Sequence, residues 1–139
     1  MNNLGHTNMN PEQALEIASL TDTGKVRSHN EDSLAVDASL GLAIIADGMG
    51  GHRAGEIASG MATALIVDEM KRARSLHLSS VNEPQTGQAA AQQLLRDLIA
   101  KANSAIYRLS STQPQYAGMG TTLVAALFHE TRGRMRNDI

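Results

Sequence analysis

The stretch that decides the fold is residues 41–52, which read GLAIIADGMGGH. Its first half, residues 42–46, is apolar at every position, which is typical of a short β-strand buried on both faces. This strand delivers Asp47 to one end of a sheet, and the glycines after it let the backbone approach a charged group closely. An acid beside exposed backbone groups suits a hard cation, which prefers carboxylate and carbonyl oxygens. A plain strand-to-helix turn, with Asp47 as a helix-start signal, explains the stretch equally well.

The composition excludes several classes of protein. Of the 139 residues 42% are hydrophobic and only 2% aromatic, so we expect an aliphatic core. A formal charge of −2 gives no electrostatic support for a nucleic-acid partner. The lack of cysteine excludes disulfides, thiolate zinc sites and cysteine nucleophiles. No stretch is apolar enough to span a bilayer or to act as a signal peptide, so we expect a cytoplasmic protein with no membrane partner.

Apolar spacing predicts strands and long helices around the opening stretch. The strands are expected at residues 15–20, 33–37, 42–46 and 123–128, and the helices at residues 54–73 and 88–109, with a linker at residues 76–87. Two consecutive helices among strands predict an α+β fold, with the helices packed on one face of a mainly antiparallel sheet. Residues 1–12 are expected to be a disordered lead-in to a domain spanning residues 13–139. Residues 129–139 are charged and are expected to be an atypical tail that offers no strand partner.

Three polar segments interrupt this apolar pattern. They comprise Arg27 with Asn30-Glu31-Asp32, then Asp47 with Gly48, and last residues 118–122. The first segment precedes one strand and the second ends the next. If these strands pair antiparallel, both segments meet at the same edge of the sheet, and Arg27 converges with the acids.

The expected cluster of an arginine and three acids favours phosphoryl chemistry. Carboxylates hold a divalent cation directly or through its waters, and a guanidinium recognises phosphate bidentately. Such a set suits metal-assisted attack on a phosphoryl group. Taken alone, an ordinary surface ion pair between Arg27 and Glu31 explains the first segment better.

The three segments together resemble a known family. Arg27-x-x-Asn30-Glu31-Asp32, DGMGGH at residues 47–52 and GMGTT at residues 118–122 occur in this order. They resemble the metal-dependent serine/threonine protein phosphatases of the PPM, or protein phosphatase 2C, type, and the DGMGGH form is similar to the bacterial branch. The resemblance runs from residue 14 to residue 128.

The resemblance implies part of a four-layer α-β-β-α sandwich, an antiparallel β-sandwich flanked by helix pairs, with a two-metal centre at one end. Family members carry further aspartates in motifs resembling GDSR, SDG and DN. After Thr122 this chain contains only Glu130 and Asp138 as acids. We therefore expect the N-terminal half of the domain, truncated after the first half, with residues 132–139 as a truncation or frameshift product.

The resemblance also implies the metal and phosphate ligands. Asp47 matches the aspartate whose carboxylate bridges two Mn²⁺ or Mg²⁺ ions, and Gly48 matches the glycine whose backbone carbonyl binds one of them. Glu31 and Asp32 match acids that act through metal-bound waters. Arg27 matches the arginine that holds the substrate phosphate. With its partner aspartates missing, the site is expected to hold metal poorly.

The third motif is expected to support the site. The resemblance implies that Gly118 and Gly120 allow close packing beneath it, and that Thr121 and Thr122 support it by hydrogen bonds. Met49 occupies a slot where eukaryotic relatives often carry a histidine proposed as general acid.

The implied function is hydrolysis of phosphoserine and phosphothreonine by attack of a metal-bound water, without a phosphoenzyme. The implied partners are phosphorylated proteins, the substrates of a serine/threonine kinase in signalling. The alternative is a non-catalytic phosphatase-like fragment, or a regulatory module, that lacks the full metal site. A P-loop-like phosphate module is disfavoured because the glycine-rich turn lacks the P-loop lysine and spacing.

Overall fold

The structure, a computed structural model, describes residues 15–79, 87–131 and 134–138. Within these ranges one antiparallel sheet has the strand order β1-β2-β3-β4. The strands are β1 (Asp32–Asp37), β2 (Leu42–Met49), β3 (Gly120–Thr131) and β4 (Arg134–Asp138). The helices are α1 (Ala54–Ser79) and α2 (Gly87–Thr112), followed by a 3₁₀ turn at Pro114–Tyr116. The predicted α+β fold is confirmed, with one sheet layer and one layer of helices.

The core lies between one face of the sheet and helix α1. Leu42, Ile44 and Ala46 are buried on that face and alternate with more exposed neighbours. Leu42 and Ile44 pack with Ile66 of α1 and with apolar residues of α2 and β3. Burial of β2 on both faces was predicted and is wrong, because Ile45 is 55% exposed on the opposite face. On that second face the apolar partners Ile45 and Val124 are exposed.

Several predicted boundaries need correction. Residues 15–20 form no strand, and Leu20 is 91% exposed, since no described strand lies beyond β1 to pair with them. Helix α1 continues through residues 76–79, where the linker was expected, while residues 80–86 lie outside the described ranges, as does the predicted lead-in. No helix within the described ranges is long and apolar enough to cross a bilayer.

The charged tail has a strand partner, contrary to the prediction. β4 pairs antiparallel with the end of β3, and Asp138 lies opposite Leu127. Backbone groups supply this pairing, so it needs no apolar side-chain pattern.

The β1–β2 turn is fixed by Asp37 at the end of the sheet far from Asp47. Asp37 Oδ1 accepts hydrogen bonds from Ser39 Oγ at 2.5 Å and from the Leu40 amide at 3.1 Å. Lys71 Nζ lies 3.9 Å from Asp37 Oδ2. The Ser39 hydrogen bond, followed by the Leu40 amide and the Lys71 charge, outweighs burial and lowers the pKa of the Asp37 carboxyl. The turn therefore helps to fix the β1–β2 register, which places Asp32 opposite Asp47 at the other end of the two strands.

Candidate metal and phosphate site

The pairing of β1 with β2 brings two acids side by side. Asp32 lies directly opposite Asp47 in the antiparallel register. Side chains at such opposite positions stand on the same face with Cβ atoms about 5 Å apart. Both side chains are exposed, on the face of the sheet opposite helix α1. Asp47 therefore lies within β2, which extends to Met49 rather than ending at residue 46 as predicted.

The segment before β1 folds over this pair and forms a polar cleft of about 320 Å³. It is lined by Asp22, Thr23, Arg27, His29, Asn30, Glu31, Asp32 and Asp47. The predicted convergence of Arg27 with the acids at one edge of the sheet is thus observed. Within the described ranges no ion pair joins Arg27 to Glu31, so the plain surface pair does not explain their proximity. The Arg27 side chain is exposed and free to meet an anion.

Three cleft residues, Asp22, Thr23 and His29, were not singled out from the sequence. Asp22 Oδ1 accepts a hydrogen bond from the Gly24 amide at 2.7 Å, which is an Asx turn. The sequence identifies that turn, but it gives no sign that Asp22 and Thr23 reach the cleft, because this depends on how residues 21–31 fold back.

Asn30 organises the acidic segment. Its Oδ1 accepts a hydrogen bond from the Asp32 amide at 3.1 Å, and its Nδ2 donates to Thr21 Oγ1 at 2.8 Å. The next carbonyl, that of Glu31, accepts the Gly48 amide at 3.0 Å. These bonds tie the segment that carries Glu31 and Asp32 to the strand that carries Asp47.

Two glycines allow α1 to start directly beneath the site. A Cβ added to Gly48 would lie 1.9 Å from the Gly55 carbonyl oxygen and 2.8 Å from that of Glu31. A Cβ added to Gly55 would lie 2.9 Å from the Gly48 carbonyl carbon. The connecting turn uses left-handed backbone at His52 and Arg53, with φ of 50° and 67°. Gly48 thus has a packing role that its predicted metal-binding carbonyl did not suggest.

One residue of the third motif contacts Asp47. Thr122 lies opposite Asp47 on the β3 side, and its Oγ1 donates to the Asp47 carbonyl at 3.4 Å. Thr121 Oγ1 bonds only to the neighbouring Thr122 carbonyl, at 2.8 Å. Close packing at Gly118 was predicted and is wrong, because nothing lies within 4 Å of a Cβ there; its φ of 76° shows a turn instead. Gly120 has only ordinary contact with Met49, at 3.7 Å.

The oxygen atoms at the edge of the sheet are of the chemical type that a hard divalent cation binds. Carboxylates at Asp32 and Asp47 and the carbonyl of Gly48 are oxygen ligands of the type that Mn²⁺ and Mg²⁺ accept. They fall short in number, since the described part of the chain holds no group of three or more histidine or acidic side chains able to bind a metal. The edge of the sheet is therefore suited to contribute to a metal centre rather than to enclose one.

Comparison with known proteins agrees with this geometry. The family profile described as protein phosphatase 2C matches residues 23–136. The serine/threonine phosphatase Stp of Listeria monocytogenes serovar 1/2a is 38% identical over 115 residues, which cover 81% of this chain and 42% of that protein. The serine/threonine protein phosphatase PstP of Mycobacterium tuberculosis (strain CDC 1551 / Oshkosh) is 41% identical over 118 residues, covering 85% of this chain and 20% of PstP.

A solved structure supports the same relationship. The crystal structure of the catalytic domain of PstP in complex with two manganese ions superposes with a TM-score of 0.61 at 32% identity. The match covers 84% of this chain and 51% of that domain. The chain therefore spans about half, or less, of the proteins that it matches.

Proposed function

This chain belongs to the protein phosphatase 2C family, and we propose that it supplies the Asp47 half of a metal-dependent serine/threonine protein phosphatase site. The observation that carries the proposal is the register in which Asp32 lies opposite Asp47, inside a cleft that Arg27 also lines. An acidic pair with an adjacent exposed guanidinium can bind a cation and a phosphate side by side. Membership of the family indicates the reaction, hydrolysis of a phosphate ester, and we assign that reaction to this cleft.

The proposed ligands are all on two adjoining segments. Asp47 and the carbonyl of Gly48 would hold the cations directly, while Glu31 and Asp32 would hold their waters. Two bound Mn²⁺ or Mg²⁺ ions would supply an activated water and neutralise charge that develops on the phosphate. Manganese is supported by the relative whose structure contains two manganese ions.

The chain's own residues act on the substrate. Arg27 binds two phosphate oxygens through its planar guanidinium and so orients phosphorus toward the acidic pair. Thr122 holds the backbone of Asp47 from the other side. The open cleft suits a phosphorylated side chain on a protein, and we propose phosphoserine and phosphothreonine proteins, produced by a serine/threonine kinase in the cytoplasm, as substrates.

A second candidate function is a phosphatase-like fragment or regulatory module without turnover. One observation favours it: within the described ranges the acids are too few to enclose a metal. In that case Arg27 and the acidic pair bind phosphopeptide or cation but do not complete a reaction.

Turnover separates these functions. We would assay hydrolysis of a phosphothreonine peptide with Mn²⁺, Mg²⁺ or chelator, using the wild-type chain, Asp47→Asn and the control Asp68→Asn. Asp68 is an exposed acid on α1, about 20 Å along the helix from its first residue, Ala54, which lies next to the site. Metal-dependent hydrolysis that only Asp47→Asn abolishes supports the enzyme. No hydrolysis by any variant supports the fragment, and hydrolysis that Asp47→Asn leaves unchanged refutes the assigned site.

A further inference from the structure

Helix α1 carries two buried polar side chains that the proposed reaction does not use. Ser59 is 1% exposed and Thr63 is 5% exposed, and these are the buried polar residues of the described chain. They lie four residues apart and so on one face of the helix. Buried hydroxyls cost free energy unless they are hydrogen-bonded, so their partners indicate what they do.

Ser59 is hydrogen-bonded to Glu31, the residue before Asp32. Its Oγ donates to the Glu31 carbonyl oxygen at 2.7 Å, across 28 residues of sequence, and lies 3.3 Å from the Glu56 carbonyl of its own helix. The Glu31 carbonyl also accepts the Gly48 amide at 3.0 Å, so both of its lone pairs are used. The acidic segment, strand β2 and helix α1 therefore meet at this one oxygen.

Thr63 is hydrogen-bonded to Ser33, the residue after Asp32. Its Oγ1 lies 2.8 Å from Ser33 Oγ and 3.2 Å from the Ser59 carbonyl oxygen. The two helical hydroxyls thus hold Glu31 and Ser33, the neighbours of Asp32 on both sides. Asp32 itself extends to the opposite face, toward Asp47.

We propose that Ser59 and Thr63 are positioning residues that set the cation affinity of the Asp32–Asp47 pair by holding the Glu31 carbonyl and the Ser33 side chain on either side of Asp32. The proposal rests on the proposed function, because it assigns these hydroxyls to the same site. Groups that orient metal ligands from behind typically change metal affinity by about 10- to 100-fold when removed. Both hydroxyls lie on the helix side of the sheet and act on Asp32 only through its two neighbours, Glu31 and Ser33.

The test compares matched variants of the full chain by Mn²⁺ titration, with free Mn²⁺ measured by electron paramagnetic resonance. Thr63→Val removes the hydroxyl at nearly constant shape, whereas Thr63→Ser keeps it. We expect Ser59→Ala and Thr63→Val each to weaken Mn²⁺ binding about tenfold and Thr63→Ser to restore it to near wild type. Ile66→Val, a buried change in the same helix away from Glu31, controls for loss of packing. Equal affinities in Thr63→Val and Thr63→Ser would overturn the proposal.

A second measurement keeps the inference separate from the proposed function. Amide hydrogen exchange at Gly48 and Asp32 reports whether the acidic segment opens locally, with or without metal. We expect faster exchange at both amides in Ser59→Ala than in Ile66→Val, with unchanged far-UV circular dichroism. If wild type binds no Mn²⁺, the claim about cation affinity fails together with the proposed metal site, whereas Mn²⁺ binding of equal strength in wild type and Ser59→Ala defeats the positioning role alone. If exchange is the same in both variants, the positioning role fails.

Discussion

Replacing Gly48 by alanine should destabilise the fold strongly, because the added methyl group has no space between β2 and α1. The new Cβ would lie 1.9 Å from the Gly55 carbonyl oxygen, whereas ordinary contact begins at 3.4 Å. Strand β2 and the first turn of α1 must then separate by about 1.5 Å, and both sides of the contact are backbone that cannot rotate away. Overpacking usually costs about 1–3 kcal/mol, so we expect about 3 kcal/mol or more at this position.

Gly60→Ala is the matched control for this prediction. Gly60 lies in α1, the helix that Gly48 contacts, and no atom of the described residues lies within 4 Å of a Cβ added there. Alanine should raise the free energy of unfolding by about 0.5–1 kcal/mol, because it favours the helix. Urea unfolding followed by far-UV circular dichroism measures both changes. Equal free energies of unfolding for Gly48→Ala and wild type would refute the close approach of β2 and α1.

Two further predictions concern the turn and the open face. Asp37 has a lowered pKa in the folded state, so its charge stabilises the fold fully above the unfolded-state pKa of about 3.9. This stabilisation is lost as the pH falls through the folded-state pKa of Asp37. Asp37→Asn should therefore lower the free energy of unfolding, measured with urea, by about 1.5 kcal/mol at neutral pH and by little in strong acid. An equal decrease at both pH values would contradict the role of the Asp37 charge. Ile45 and Val124 are cross-strand partners, 55% and 58% exposed. The double change to threonine should slow aggregation by light scattering, with exposed Leu20→Thr as control, and identical rates would contradict an exposed apolar face.

Local patterns were enough to predict the elements nearest the site. The apolar run of β2, the glycine-rich turn and the periodic stripe of α1 are signals within a few residues, and α1 begins at Ala54 as predicted. Antiparallel pairing then required Asp47 to meet the segment before β1, which is the arrangement observed. The family motifs added roles to these residues but not their contacts.

Features that depend on distant residues could not be predicted in the same way. The contact between Gly48 and Gly55 follows from how closely the helix packs, and neither glycine shows this in the sequence. The hydrogen bond of Ser59 to Glu31 joins residues 28 positions apart. The apolar run at β2 does not reveal whether its second face is covered, because strands exposed on one face can carry the same residues.

Mn²⁺ binding to the chain shows directly whether Asp47 and its cross-strand partner bind a divalent cation. Titration followed by electron paramagnetic resonance should show weak, saturable binding to the wild type, since the ligands in the described part of the chain are few. Asp47→Asn should weaken this binding at least about tenfold, because it removes the charged ligand, while Asp68→Asn should leave it unchanged. Binding of equal strength in Asp47→Asn and wild type would contradict the account.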